Sequence, residues 1–211
     1  MWGITKIVIM AEKSKADFGE KMQKKVLEIN SLIFISLSVL ESKTKKKIIQ
    51  VLNEKMGENW LKEELKNPTI PIIKNEIEII QRRKSLRFTT SDKLFPDEAS
   101  MGFWVEMFSK EAYRDLKGIP IAAFSHRPSQ VKRNDLYRLL KSVKDLRNEI
   151  VHYRVVFGSS VSKNLLQVKK LQDGDNDIKT LIGYLDPRLL RLLPKTTPKK
   201  IASLEKIISR G

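Results

Sequence analysis

The chain has 211 residues, 41 of them Lys or Arg and 25 Asp or Glu, for a formal net charge of +16, with two His and no Cys. The lack of Cys excludes disulfide frameworks, thiolate nucleophiles, iron–sulfur clusters and Cys-based zinc sites, leaving His and carboxylates for acid–base work. With 41% hydrophobic residues and only 9 Gly and 8 Pro, the composition is that of a globular chain able to build a core without cross-links.

The opening stretch MWGITKIVIMAEKSK is broken by Lys6 and is too short an apolar run for a signal peptide. The longest apolar run, Leu32 to Leu40, contains two serines and falls well below the roughly 20 residues that cross a bilayer. These features predict a cytoplasmic protein with no membrane partner.

Apolar spacing then predicts helices nearly throughout. Phe18, Met22, Val26 and Ile29 recur at steps of three and four over 18–30, and Leu37, Ile48, Val51, Leu52 and Met56 continue the period, as two early helices or one broken helix. Gly57 stops the run as a C-terminal cap would. Asn67, Pro68 and Pro71 mark a loop before a third helix at about 73–85, with a short strand at Ile70 to Ile73 as the alternative. Ser91 to Asp97 reads as a turn, and Asp97-Glu98 starts a helix carrying Phe103, Trp104, Met107 and Phe108. Gly118, Pro120 and the SHRPS stretch at 125–129 break the pattern.

The longest clean helix is expected from about Ser129 to Phe157, with Leu136, Leu139, Leu140, Val143, Leu146 and Ile150 as its apolar stripe and Gly158 ending it. Asp186-Pro187 and Thr197-Pro198 each pair a capping side chain with Pro at a first helical position. Asp173 to Asp177 resembles the start of a calcium loop, but Ile178 and Tyr184 stand where that loop needs Gly and Glu, so a polar turn leading into a helix is expected instead. No internal repeat or long linker divides the chain. The reading is a single all-α domain over 1–211, with no metal and no cofactor.

Positive charge gathers in runs at Lys43 to Lys47, Arg82 to Arg87 and Arg188 to Arg210. Such fields attract polyanions, and none of the runs lies on an amphipathic anchor with an aromatic face, which favours nucleic acid over a membrane surface. Arg82, Arg83, Lys84, Arg87 and Lys141 are the RNA-binding candidates. A solvated, solubilising surface or a face that docks an acidic protein would show the same runs.

His126 lies in a Pro-bounded loop without a carboxylate or a second His and reads as an ordinary surface residue. His152 is set differently, in the string Asp145-Leu146-Arg147-Asn148-Glu149-Ile150-Val151-His152. At 100° per residue, Lys141, Asp145, Asn148 and His152 form a polar stripe opposite the apolar one, with Arg147 at its edge. Asn148 and His152 are i, i+4 neighbours, so the amide can hydrogen-bond the imidazole and set its tautomer. An imidazole exchanges protons near neutral pH and a guanidinium neutralises charge on phosphorus oxygens, chemistry suited to phosphodiesters. By spacing alone, the same residues are what an ordinary solvated helix face presents.

Several blocks together add a resemblance. MGFWVEMFSKEAYRDL at 101–116, KSVKDLRNEIVHYRVVF at 141–157 and IKTLIGYLDPRLLRLL at 178–193, with Leu40-Glu41 and Gly57-Glu58-Asn59-Trp60 upstream, resemble in order the Abi-like (abortive infection) family of the HEPN superfamily over about 40–193, leaving 194–211 as a basic C-terminal helix. The resemblance implies an HEPN-like helical bundle with flanking helices, dimerising about the motif helix. It implies a metal-independent endoribonuclease in which the ribose 2′-hydroxyl attacks the adjacent phosphorus. His152 would then transfer protons, Arg147 would clamp the transition state and Asn148 would orient them. It further implies a toxin or anti-phage effector restrained by a partner, in some members a small structured RNA.

The chain departs from the family pattern at Glu149, where a basic residue is usual, and at Tyr153, Arg154 and Val155, where His-Glu-Pro is usual. Ser42, Lys43 and Thr44 replace an upstream Leu-Arg-Asn, and the family's N-terminal extension is expected to be shortened. A carboxylate at 149 would repel phosphate. These departures keep open a non-catalytic RNA-binding protein of the same fold.

Overall fold

The computed structural model describes the backbone of residues 2–84, 91–152, 155, 157, 158 and 160–209, and the side chains of these residues from 19 onward. Every regular element among them is helical, which makes the protein all-α. In chain order the α-helices are α1 (Trp2–Met56), α2 (Trp60–Lys66), α3 (Pro71–Lys84), α4 (Phe95–Glu98), α5 (Met101–Glu106), α6 (Lys110–Asp115), α7 (Arg133–Val151), α8 (Val161–Leu185) and α9 (Thr197–Ile208). Two 3₁₀ turns, Ile119–Ala123 and Pro187–Leu192, complete the set.

The chain divides into two compact units, each built from separate stretches. The first comprises 1–36, 146–176 and 194–211; the second comprises 37–145 and 177–193. Three of the four divisions fall inside α1, α7 and α8, and the fourth in the stretch before α9.

In the first unit, Met22, Val26, Ile29 and Ile33 of α1 are buried, as are Leu146 and Ile150 of α7, Val168 and Leu171 of α8, and Ile201, Leu204 and Ile208 of α9. Polar contacts hold α9 along α1: Lys25 Nζ donates to Ser203 Oγ at 3.0 Å, and Lys200 pairs with Glu28 at 2.6 Å. In the second unit an aromatic cluster forms the core. Phe95 meets Phe103 edge-on at 5.3 Å, Phe103 meets Trp104 at 4.9 Å, and Phe108 meets Phe124 at 5.7 Å. Edge-to-face geometry sets the positive ring edge on the negative face of its neighbour.

Several boundaries differ from expectation, each for a local reason. The two early helices are one, because nothing between Phe18 and Leu37 breaks the ladder; a Cβ at Gly19 would meet nothing within 4 Å. The run ends where expected: Gly57 has φ +101°, a backbone only glycine adopts at no cost, and its N–H bonds Asn53 O at 3.0 Å. The alternative strand at Ile70 to Ile73 is replaced by the start of α3 at Pro71, whose missing N–H costs nothing at a helix start.

The helix expected from Asp97 is broken. Ser100 is extended (φ −67°, ψ 156°) and accepts from Phe103 N, so it starts a fresh helix, α5, after the four-residue α4. The buried Glu76 of α3 secures the break, its Oε1 accepting from Ser100 N at 2.7 Å. Ser109 repeats the device at the head of α6.

The long motif helix is shorter than expected at both ends, since α7 spans Arg133–Val151. Its entry is set by side chains: Asp135 accepts from Lys132 N at 2.9 Å, and Arg133 Nη1 donates to Phe108 O at 2.7 Å. Of the two Pro-led starts, the first stands where expected and the second is displaced by one residue. Asp186 does cap, accepting from Arg188 N at 3.0 Å, but the element it opens is a 3₁₀ turn. At the second, Thr196 is the N-cap and Thr197 is already helical, its hydroxyl donating to Pro194 O at 3.2 Å.

The largest correction concerns Asp173 to Asp177. These residues form no turn but lie inside α8. Lys169 pairs with Asp173 one turn away at 2.8 Å, and Asp177 accepts from Ser142 Oγ at 2.9 Å. Gly174 is there for close approach, because a Cβ on it would stand 2.1 Å from Leu146 Cδ2 of α7. Gly174→Val should therefore destabilise the protein by about 1–3 kcal/mol through overpacking, read as a lower urea midpoint at unchanged slope. A midpoint equal to that of the parent would show that α7 and α8 do not meet so closely there.

Candidate functional site

The apolar stripe of α7 is buried except at Leu139, which is half-buried: Leu136, Leu140, Val143, Leu146 and Ile150 are 6% exposed or less. That burial turns the other side of the helix outward. Lys141 and Asp145 are exposed, Arg147 and Asn148 are half-buried, and His152 is exposed immediately after the last helical residue. Arg147 and Asn148 thus occupy the last turn of α7 and His152 follows it, all within the first unit.

The amide is used differently from the expected arrangement. Arg147 Nη1 donates to Asn148 Oδ1 at 3.5 Å, so the contact steadies the guanidinium. Asn148 reaches His152 through the backbone, accepting from His152 N at 3.1 Å.

Glu149 is not a free charge beside this cluster. Its carboxylate is paired with Lys170 of α8, with side-chain exposures of 26% and 48% for Glu and Lys. The pair offsets the repulsion that a lone carboxylate would exert on phosphate. The two residues lie 21 positions apart in the chain, a distance no helical spacing reveals. Tyr153 and Arg154 lie outside the described residues. Val155 is buried.

A groove of about 480 Å³ lies beside the last turn of α7, lined by Leu27, Asn30, Phe34 and Ile35 of α1 with Ile150 and Val151. Leu27, Phe34 and Ile35 are each about half exposed, at 54%, 46% and 48%. Asn30 is buried, and its Oδ1 has no hydrogen-bond donor among the described residues.

The expected RNA-binding residues are not one cluster of free cations. Arg82 pairs with Glu78 at 3.4 Å, Arg83 Nη2 donates to Glu98 O at 2.6 Å, and Lys84 pairs with the Glu98 carboxylate at 2.9 Å. The last two tie the end of α3 to the end of α4. Arg87 lies outside the described residues, and Lys141 is exposed on α7.

His126 belongs to a structural clasp. Its Nδ1 lies 3.2 Å from Leu185 O, and its backbone N–H bonds Tyr184 O at 2.9 Å. Nearby, Arg188 grips Asp186 through Nε and Nη2 at 3.0 and 2.9 Å. These bonds hold the Asp186 carboxyl at about 2, below its ordinary 3.8. Among the described residues no three His, Asp or Glu side chains gather closely enough to hold a metal ion, and no helix is long and apolar enough to cross a membrane.

Fold and site together define an all-α protein with an Arg/Asn/His cluster at the end of a packed helix. Compared with known proteins, the chain matches no family model, no curated protein and no solved structure.

Arg188→Ala should move the Asp186 titration midpoint upward toward 3.8, followed by carboxyl ¹³C shifts. A lowered folded-state value means that the grip favours the folded state above the ordinary carboxylate range and is lost as pH falls through about 2. A midpoint left near 2 in the variant would assign the shift to another cause.

Proposed function

We propose that the protein is a metal-independent endoribonuclease of the Abi-like HEPN type, acting as a toxin or abortive-infection effector. The observation that carries the reading is the placement of Arg147 and Asn148 on the last turn of α7 with an exposed His152 directly after it, within the sequence blocks that resemble that family. An imidazole takes the proton from the ribose 2′-hydroxyl as its oxygen attacks phosphorus. A second imidazole, from the partner copy, gives a proton to the departing 5′-oxygen, leaving a 2′,3′-cyclic phosphate and a 5′-hydroxyl. The Arg147 guanidinium faces the charge that builds on the non-bridging oxygens. The Glu149–Lys170 pair supports this reading by removing an uncompensated carboxylate from the cluster.

The test is incubation with RNA in EDTA. Wild type should cleave to cyclic-phosphate ends, His152→Ala should lose about 10²–10⁴ in rate and Arg147→Ala about 10²–10³. Equal cleavage by all three would remove these residues from the chemistry. A second reading, a non-catalytic RNA-binding protein holding a small structured RNA, is favoured by the Asn148 amide, whose hydrogen bond among the described residues goes to Arg147 and not to the His152 ring. It requires salt-sensitive RNA binding and no cleavage at any protein concentration.

A homodimer completes the proposal, since one copy offers a single imidazole here. The half-exposed Leu27, Phe34 and Ile35 beside the end of α7 supply the apolar surface such an interface needs. Leu27→Glu with Ile35→Glu should give a folded monomer by light scattering, with cleavage lost. A dimer persisting in that variant would place the interface elsewhere.

A further inference from the structure

The second unit contains another concave site, about 510 Å³ in volume, between one face of α1 and the segment that enters α4. On α1, Ser38, Ser42, Lys45 and Ile49 recur at helical spacing and share one face, with Lys46 at its edge; Lys93 and Asp97 close the other side. Such a volume lies within the roughly 300–1,000 Å³ of ordinary ligand sites.

The charges within it are unequal in their freedom. Lys45 is spent on Glu41, 3.1 Å away and one turn earlier, and both side chains are largely withdrawn from solvent, at 13% and 24% exposure. Lys46 and Lys93 are exposed, and neither has a carboxylate within ion-pairing distance among the described residues. Against these two cations stands the single carboxylate of Asp97. The groove therefore carries one net positive charge, the complement of one phosphodiester, and the Ser42 hydroxyl adds a donor for a non-bridging oxygen.

We propose that this groove is a subsite for one phosphodiester of an RNA strand, with Lys46 and Lys93 reaching the phosphate oxygens from its two sides. The inference rests on the proposed action on RNA and adds where a strand is gripped. A groove that offers ammonium and hydroxyl donors, and no aromatic face for a base, reads no sequence and positions the backbone alone. It also lacks the aromatic residues with which a basic surface anchors in a bilayer, so nucleic acid rather than lipid is its polyanion.

The experiment measures binding of a fluorescent single-stranded 2′-O-methyl oligoribonucleotide, which cannot be cleaved by 2′-hydroxyl attack, over a range of salt. Lys46→Gln with Lys93→Gln should weaken binding roughly tenfold at low salt and reduce the slope of log K against log salt by about 0.7, the loss of one phosphate contact. Lys46→Arg with Lys93→Arg should restore both values. Lys24→Gln with Lys206→Gln, an equal loss of charge at exposed positions of the first unit, should leave the slope near wild type. If the Lys46/Lys93 pair behaves like this control while wild type binds, the subsite is wrong and the action on RNA stands. If wild type does not bind the oligonucleotide at all, the proposed function falls. Binding of inorganic phosphate or phosphatidylserine vesicles that the Lys46/Lys93 variant loses, with oligonucleotide binding intact, would overturn the inference by assigning the groove to a free anion or to lipid.

Discussion

The burial of one stripe of α7 is the constraint on which the candidate site depends. Leu136, Leu140, Val143, Leu146 and Ile150 recur so that every turn of the helix places an apolar side chain inward, and full burial of each contributes roughly 1.5–3 kcal/mol. A helix held on one side along its length cannot rotate about its axis. The side chains of Arg147, Asn148 and His152 consequently leave it in set directions. Gly174 adds to the hold near the site, because its bare backbone lets α8 come in beside Leu146, the residue next to Arg147.

Electrostatics then separates the cations that the composition lumps together. A net charge of +16 says that many Lys and Arg have no acidic counterpart, but not which ones. Arg83 and Lys84 are drawn onto Glu98, and Lys170 onto Glu149, where their charge serves the fold or silences a neighbour. Lys46 and Lys93 are left to face solvent across a groove. Surface pairs of this kind contribute little stability, so their main effect is on the field that an approaching polyanion meets.

Much of the site was legible in the sequence because it lies on one helix. A period of 3.6 residues tells which residues share a face, and the stripe of α7 and the outward set of His152, Asn148 and Lys141 came from it. Element ends were less legible. The break at Ser100 depends on Glu76, 24 residues earlier, and no local pattern shows a carboxylate waiting for a backbone N–H. Asp173 to Asp177 misled for a related reason. Gly and Asp favour turns when their neighbours are unknown, yet Lys169, Ser142 and the close approach to Leu146 hold them in a helix.

The sequence by itself determined the all-α class, the helical stop at Gly57, the apolar stripe of α7 and the excess of positive charge. Each is a property of residues within a few positions of one another, or of the whole count. Only the tertiary structure decided that Glu149 is neutralised, that Arg83 and Lys84 are occupied, and that Lys46 and Lys93 flank one groove. Those outcomes depend on atoms brought together from distant parts of the chain, and the energy of a charge or a close contact is set by distance in space rather than along the backbone.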